Sequence, residues 1–170
     1  MSAVAAGRAP SPVTWAAWTA AALPVVHGVG FALVDFEGYL RGTLELGAAP
    51  TAGLPADFTR AAAGFAAVAL LGFLADVLFV VLAAVDHRIL RQRGIERPFS
   101  WAWGVFGLLN SGALVYLIGR TVVGRARTGR SASAPLWLWV GLTVVSVAAA
   151  GLKVGAALTE VGPLIAQLVT

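Results

Sequence analysis

Four stretches of this chain, about 14–34, 61–85, 99–123 and 136–158, are apolar with at most one charged side chain each. The hydrocarbon core of a bilayer is about 30 Å thick, and a helix needs roughly twenty apolar residues to cross it. Inside that core the backbone must satisfy its own hydrogen bonds, which leaves helices or closed barrels. Here the apolar residues surround the helix instead of alternating along a strand. The expected fold class is an all-α integral membrane protein of one transmembrane domain, 1–170, with four hydrophobic helical segments. The third segment is either a full span or a re-entrant helical hairpin.

Composition excludes the soluble classes. Hydrophobic residues make up 59% of the 170 and charged residues 12%, whereas soluble domains carry about 25% charged residues. That balance argues against a soluble enzyme, a nucleic-acid-binding domain or a disordered chain. The net charge of +4 comes from basic residues crowded beside the apolar segments, so the expected negative partner is the anionic headgroup of membrane lipid and not nucleic acid. Eleven of the twelve basic residues are arginine, a bias consistent with a GC-rich bacterial genome. The chain has no cysteine, which removes disulfides, thiolate nucleophiles, cysteine-ligated zinc and iron–sulfur clusters. No metal or other cofactor is expected.

Charge asymmetry sets the expected topology. The connection 86–98 carries Arg88, Arg91, Arg93 and Arg97, and by the positive-inside rule it is cytoplasmic. The connection 35–60 holds Asp35, Glu37, Glu45 and Asp57 against Arg41 and Arg60 and is then extracytoplasmic. Its middle, 47–55, is rich in Ala, Gly, Pro and Thr and reads as a loop. The N-terminus lies in the cytoplasm and the setting is a bacterial plasma membrane. The first apolar stretch continues to Val34, beyond the roughly 7–15 residues of a signal-peptide core, so it reads as a retained span. Tryptophan pairs open three of the segments (Trp15 and Trp18, Trp101 and Trp103, Trp137 and Trp139), the headgroup-level position indole favours.

The third segment conflicts with this pattern. If it spans, Arg120, Arg125, Arg127 and Arg130 fall on the side opposite the first arginine cluster. Asn110, Ser111 and Gly112, all turn formers, sit at its centre. On either side lie about 11 residues, roughly 16 Å of helix or half a bilayer. A re-entrant hairpin would return both clusters to one side and put the C-terminus outside. A full span, with the Asn–Ser–Gly patch used for packing, would put it inside.

Few polar groups lie within the segments, and each is costly there. The candidates are His27, Asp76, Asn110 and Lys153. Asp76 and His27 fall at similar depths and suit either a proton or ion relay or a clamp between helices. Lys153 can snorkel or reach towards Asp76. His27 and His87 lie roughly 20 Å apart in depth, too far to share one haem. Gly151 and Gly155 form a GxxxG pair, and Gly104 and Gly107 read as packing. No hydrolase triad, phosphate-binding glycine loop or carboxylate-rich metal motif is present. The arginines Arg88, Arg91, Arg93, Arg97, Arg120, Arg125, Arg127 and Arg130 are the expected contacts to lipid or to a partner.

A run beginning Asp86-His87-Arg88-Ile89-Leu90 continues through Gly94 to Pro98, and Tyr116-Leu117-Ile118-Gly119-Arg120 follows. It resembles small multi-pass membrane proteins of unknown function common in actinobacteria. They share a D-x-x-x-L-x-x-x-G-x-x-x-P segment followed by a Y-L-x-x-R element. The resemblance covers about residues 76–140. Family members often carry a proline before the Y-L element, where this chain has Asn110, Ser111 and Gly112. The resemblance implies no activity. It implies that Asp86, Gly94, Tyr116 and Arg120 act as one unit, with Asp86 paired to Arg120 beside the membrane surface.

Together these readings predict a non-enzymatic accessory or structural subunit of a membrane assembly. It would associate with other subunits or itself and present a basic cytoplasmic face. The alternative is a small oligomeric transporter or channel with a relay at Asp76.

Overall fold

The computed structural model describes residues 10–49, 53–109 and 112–169, and among them every regular element is helical. Helix α1 spans Trp15–Ala22, α2 Pro24–Leu33, α3 Phe36–Ala48 and α4 Ala56–Gln92. A 3₁₀ segment, Trp101–Leu109, precedes α5 (Gly112–Thr128) and α6 (Ala134–Val169). Three stretches are long and apolar enough to cross a membrane: Trp15–Leu33, Ala56–Gln92 and Ala134–Ala166.

The boundaries follow local chemistry. Pro24 has no N–H to donate and divides the first stretch into α1 and α2. Helix α4 ends where Gly94 turns to φ +79. The Gly94 amide donates to the Arg91 carbonyl and the Ile95 amide to the Leu90 carbonyl, the left-handed glycine cap that absorbs orphan carbonyls. Residues 35–60, expected as a loop, contain α3. Its start is legible afterwards: Asp35 caps the helix by accepting from the Gly38 amide at 2.8 Å, and Glu37 and Arg41 pair one turn apart.

Residues 99–123 do not form one helix. The 3₁₀ segment and α5 pack against each other, and neither is among the three span-length stretches. Asn110 and Ser111, the expected turn formers, lie outside the described residues. In a 3₁₀ helix side chains three apart eclipse one another, so Gly104 and Gly107 fall on one side. That bare side lies against α4: a methyl on Gly104 would stand 2.9 Å from the Ala83 Cβ, and one on Gly107 3.1 Å from the Phe79 ring. The tighter helix thus forms a glycine groove that fits α4.

The chain divides into two compact units. The first comprises Met1–Leu23 and Ala75–Gly141. Its core is Ala16 and Ala20 of α1, Phe79, Leu82 and Ala83 of α4, and Tyr116 and Leu117 of α5. The second comprises Pro24–Leu74 and Leu142–Thr170. Within it, Phe36 and Tyr39 of α3 meet Phe65 of α4 edge-on, and Tyr39 stacks on Phe58 at 5.4 Å. Glycines set the close approaches there: Gly28 faces Ser146, Gly30 faces Val68 and Gly42 faces Phe58.

Gly42 makes this testable within one helix. A Cβ there would stand 2.4 Å from the Phe58 Cβ and 2.9 Å from its Cα, whereas one on Gly47 meets nothing within 4 Å. Gly42→Ala should therefore force α3 off α4 and cost about 1–3 kcal/mol. Gly47→Ala should be neutral or gain up to about 1 kcal/mol of helix propensity. Thermal unfolding in mild detergent, followed by circular dichroism, separates the two.

Candidate functional site

The most constrained chemistry lies in the first unit, around Asp86. This residue sits six positions before the end of α4 and has no exposed surface. An ionised carboxylate in such a place must have its lone pairs met by donors. Helix α5 and the N-terminal segment supply them. The Arg120 guanidinium of α5 grips it side-on, with Nε 2.5 Å from Oδ2 and Nη2 3.1 Å from Oδ1. The Tyr116 hydroxyl, one turn earlier on α5, lies 2.9 Å from Oδ2 and 3.1 Å from the Ala83 carbonyl. The Thr14 hydroxyl donates to Oδ1. Each oxygen thereby accepts two hydrogen bonds, the full capacity of a carboxylate.

Each partner has a second task. Thr14 caps α1, its Oγ1 accepting from the Ala17 amide at 3.1 Å. Arg120, 2% exposed, also donates from Nη2 to the Pro12 carbonyl at 2.6 Å. Arg93 holds the same N-terminal segment from outside the core, donating to the carbonyls of Ser11 and Val13 at 3.0 and 2.7 Å. Aromatic rings wall the site: Phe79 meets Tyr116 edge-on and Phe99 lies tilted against it, both at 6.0 Å between centroids. Gly119 leaves the room Phe99 occupies. The His87 Nδ1 lies 2.9 Å from the Phe99 carbonyl, which ties α4 to the start of the next segment.

A bidentate arginine inside an aromatic wall, on a carboxylate with no lone pair left over, is suited to holding elements together. Proton transfer or metal binding at Asp86 would require breaking one of these bonds first. Burying two charges is unfavourable, and the pair persists only because its remaining hydrogen-bonding capacity is met. The rigid fork of arginine gives this geometry; lysine, a point charge, does not.

The second unit uses its one buried-segment cation differently. The Lys153 ammonium of α6 donates to the carbonyls of Phe31, Ala32 and Val34. These carbonyls lie at and just past the end of α2, where a cation meets the negative end of the helix dipole; those of Phe31 and Val34 also accept backbone amides. Lys153 thus has a partner in the backbone, set in a cleft that it lines with Asp35, Glu37 and Glu160.

The other expected residues are dispersed. His27, in the second unit, is exposed and its ring edge lies beside Gly72. Asp76 belongs to the first unit and is half-buried. Arg88, Arg91, Arg97, Arg125, Arg127 and Arg130 are exposed. Arg120, expected also among the headgroup contacts, is turned inward to Asp86. Thr14 and the Pro12 carbonyl were missed by sequence reasoning. The Thr14 signal available was its place as a polar residue immediately before an apolar helix. No protein-family model, no curated protein and no solved structure matches the chain.

Asp86→Ala leaves the Arg120 charge buried and unpaired and should cost about 3–5 kcal/mol. Adding Arg120→Met to that variant removes the orphan and should recover a large part of the loss. Tyr116→Phe, which deletes one hydrogen bond to a charged group, should cost about 1.5–3 kcal/mol. Chemical unfolding in detergent, run as a double-mutant cycle, reads all three.

Proposed function

We propose that this chain is a non-enzymatic accessory or structural subunit of a membrane assembly in a bacterial plasma membrane, joined to its neighbours through α6. One observation carries this reading: the face of α6 bearing Gly151, Gly155 and Gly162 is open. A Cβ on any of the three would meet nothing within 4 Å. Spacings of four and seven return these residues to one side of the helix. Lys153, Ala157 and Val161 point elsewhere, the first to the end of α2 and the other two into buried positions. In lipid there is no hydrophobic drive to bring helices together, so close approach of small residues is what joins them. Large apolar side chains flank the stripe, including Val144 and Leu152.

The ionisable groups support the same reading. Asp86, Arg120 and Lys153 are engaged in holding backbone or one another. The closed coordination of Asp86 gives it a structural task, in keeping with the unit that the actinobacterial resemblance implies for Asp86, Gly94, Tyr116 and Arg120.

The proposed topology has a cytoplasmic N-terminus, three spans and a re-entrant hairpin over 99–123. The Asp86–Arg120 bond supports the hairpin, because a full span would carry Arg120 to the far side of the bilayer. A 3₁₀ segment of nine residues rises roughly 18 Å, suited to half a bilayer. Broken backbone at that depth needs cover from protein, and the packing of the 3₁₀ segment on α4 and α5 supplies it. The first unit also contains all six tryptophans, of which Trp15, Trp18, Trp101, Trp103 and Trp137 are exposed, as an interfacial belt requires.

Association is tested in mild detergent by mass measurement of the purified chain. The expected species is an oligomer or a complex with another membrane protein, disrupted by Gly151→Leu with Gly155→Leu and preserved by Val145→Leu. A strictly monomeric wild type with no co-purifying protein would overturn the reading. Topology is tested by single cysteines in this cysteine-free chain. Thr128→Cys should react with an impermeant reagent from the cytoplasmic side, together with Gln92→Cys; labelling from opposite sides would remove the hairpin.

A further inference from the structure

One groove of the first unit has, apart from the His87–Phe99 contact, no part in the contacts above. Along α4, His87, Arg88 and Arg91 line a cavity of about 480 Å³ together with Trp101. A second cavity of about 340 Å³ is walled by Val80, Val81 and Val85. The two share Ala84, Arg88 and Trp101 as walls, so they form one groove, basic at one end and apolar at the other. Positions 80, 84, 88 and 91 recur on one face of the helix. Eleven residues of α-helical rise amount to roughly 16 Å, about half of a ~30 Å hydrocarbon core. The polarity gradient therefore has the length of one leaflet.

Charge decides the occupant. Among the described residues neither Arg88 nor Arg91 is paired with a carboxylate. Arg93 and Arg120 beside them are engaged by backbone carbonyls and by Asp86. Two guanidiniums at one mouth suit the oxygens of a phosphodiester, and they disfavour a headgroup that also carries a cation. The His87 ring at the rim is anchored by the Phe99 carbonyl. Trp101, exposed on the 3₁₀ segment, borders both halves of the groove, as an amphipathic indole does at the headgroup level.

We infer that this groove binds one anionic phospholipid, its phosphate held by Arg88 and Arg91 and one acyl chain lying along Val80, Val81 and Val85 beside Trp101. The inference rests on α4 crossing a membrane and is independent of association through α6.

Native mass spectrometry of the full chain in mild detergent tests it, with phosphatidylglycerol and phosphatidylcholine of matched chains as probes. One phosphatidylglycerol should be retained in clear preference. Arg88→Gln with Arg91→Gln should weaken retention about 10- to 30-fold, the effect of losing two basic residues at an anionic headgroup. Both side chains are exposed, and an unchanged near-ultraviolet circular dichroism spectrum verifies folding. Arg60→Gln, an exposed residue paired with Asp57 at the start of α4, should leave retention unchanged, and millimolar inorganic phosphate should not displace the lipid. Equal retention of the two lipids, insensitivity to the Arg88 and Arg91 substitutions, or displacement by inorganic phosphate would each overturn the site while leaving the α6 reading intact. A chain that stayed soluble without detergent would instead remove the membrane reading beneath both.

Discussion

A carboxylate sealed from solvent has to find a hydrogen for each of its lone pairs, and at Asp86 that requirement organises the first unit. The donors come from residues far apart in the chain: Thr14, Tyr116 and Arg120. Satisfying them fixes where α1 begins, because the hydroxyl that reaches Asp86 also accepts the Ala17 amide in the first turn of that helix. It fixes the face α5 turns to α4, because Tyr116 and Arg120 stand one turn apart and serve the same acceptor. It brings the N-terminal segment down onto the bundle through the Pro12 carbonyl. The apolar contacts of Ala16, Ala20, Phe79 and Leu117 complete the packing. Grease alone would tolerate many rotations of these helices, whereas the bidentate bond tolerates one.

The second unit reaches definition by other means. Its helices meet through glycines set against Ser146, Val68 and Phe58, and through a cluster of aromatic rings on α3 and α4. The single ammonium, Lys153, terminates α2 by taking its last carbonyls. Small residues for approach and a polar group for termination are means suited to helices this apolar. In the first unit Asp86 meets Arg120, and in the second Lys153 meets the end of a helix.

Much of this was legible in the sequence, and the reasons divide cleanly. Hydropathy shows that the chain is helical and apolar, because length and absence of charge are local properties. The association of Asp86 with Arg120 was expected only through the family resemblance, since composition and spacing do not pair residues 34 positions apart. Thr14 was not readable as a partner, since a threonine before an apolar run predicts a cap and nothing about a residue 72 positions away. For residues 99–123 the sequence left a full span and a re-entrant hairpin both open, and it held no sign of the 3₁₀ segment, because α-helical and 3₁₀ stretches of Gly, Trp and Val have the same hydropathy. The glycine pair at 104 and 107 carried the decisive spacing of three, which acquires meaning only against Phe79 and Ala83. Helix α3 was overlooked because the Ala, Gly and Pro that follow it drew the whole connection towards a loop. Its Asp35 cap and its Glu37–Arg41 pair were present to be read.

The span of chain between Asp86 and its guanidinium partner also bears on how the protein is made. Arg120 is 34 residues downstream, so at about 5–20 residues per second a ribosome needs roughly two to seven seconds to supply it. During that interval the newborn end of α4 holds an acid whose strongest counterpart does not yet exist. Until then water is the partner left to it, and the end of α4 cannot pack as it does in the finished unit until α5 is complete. Closure of the first unit is therefore deferred to a late event in biogenesis, with the first helix waiting on a residue from the fifth.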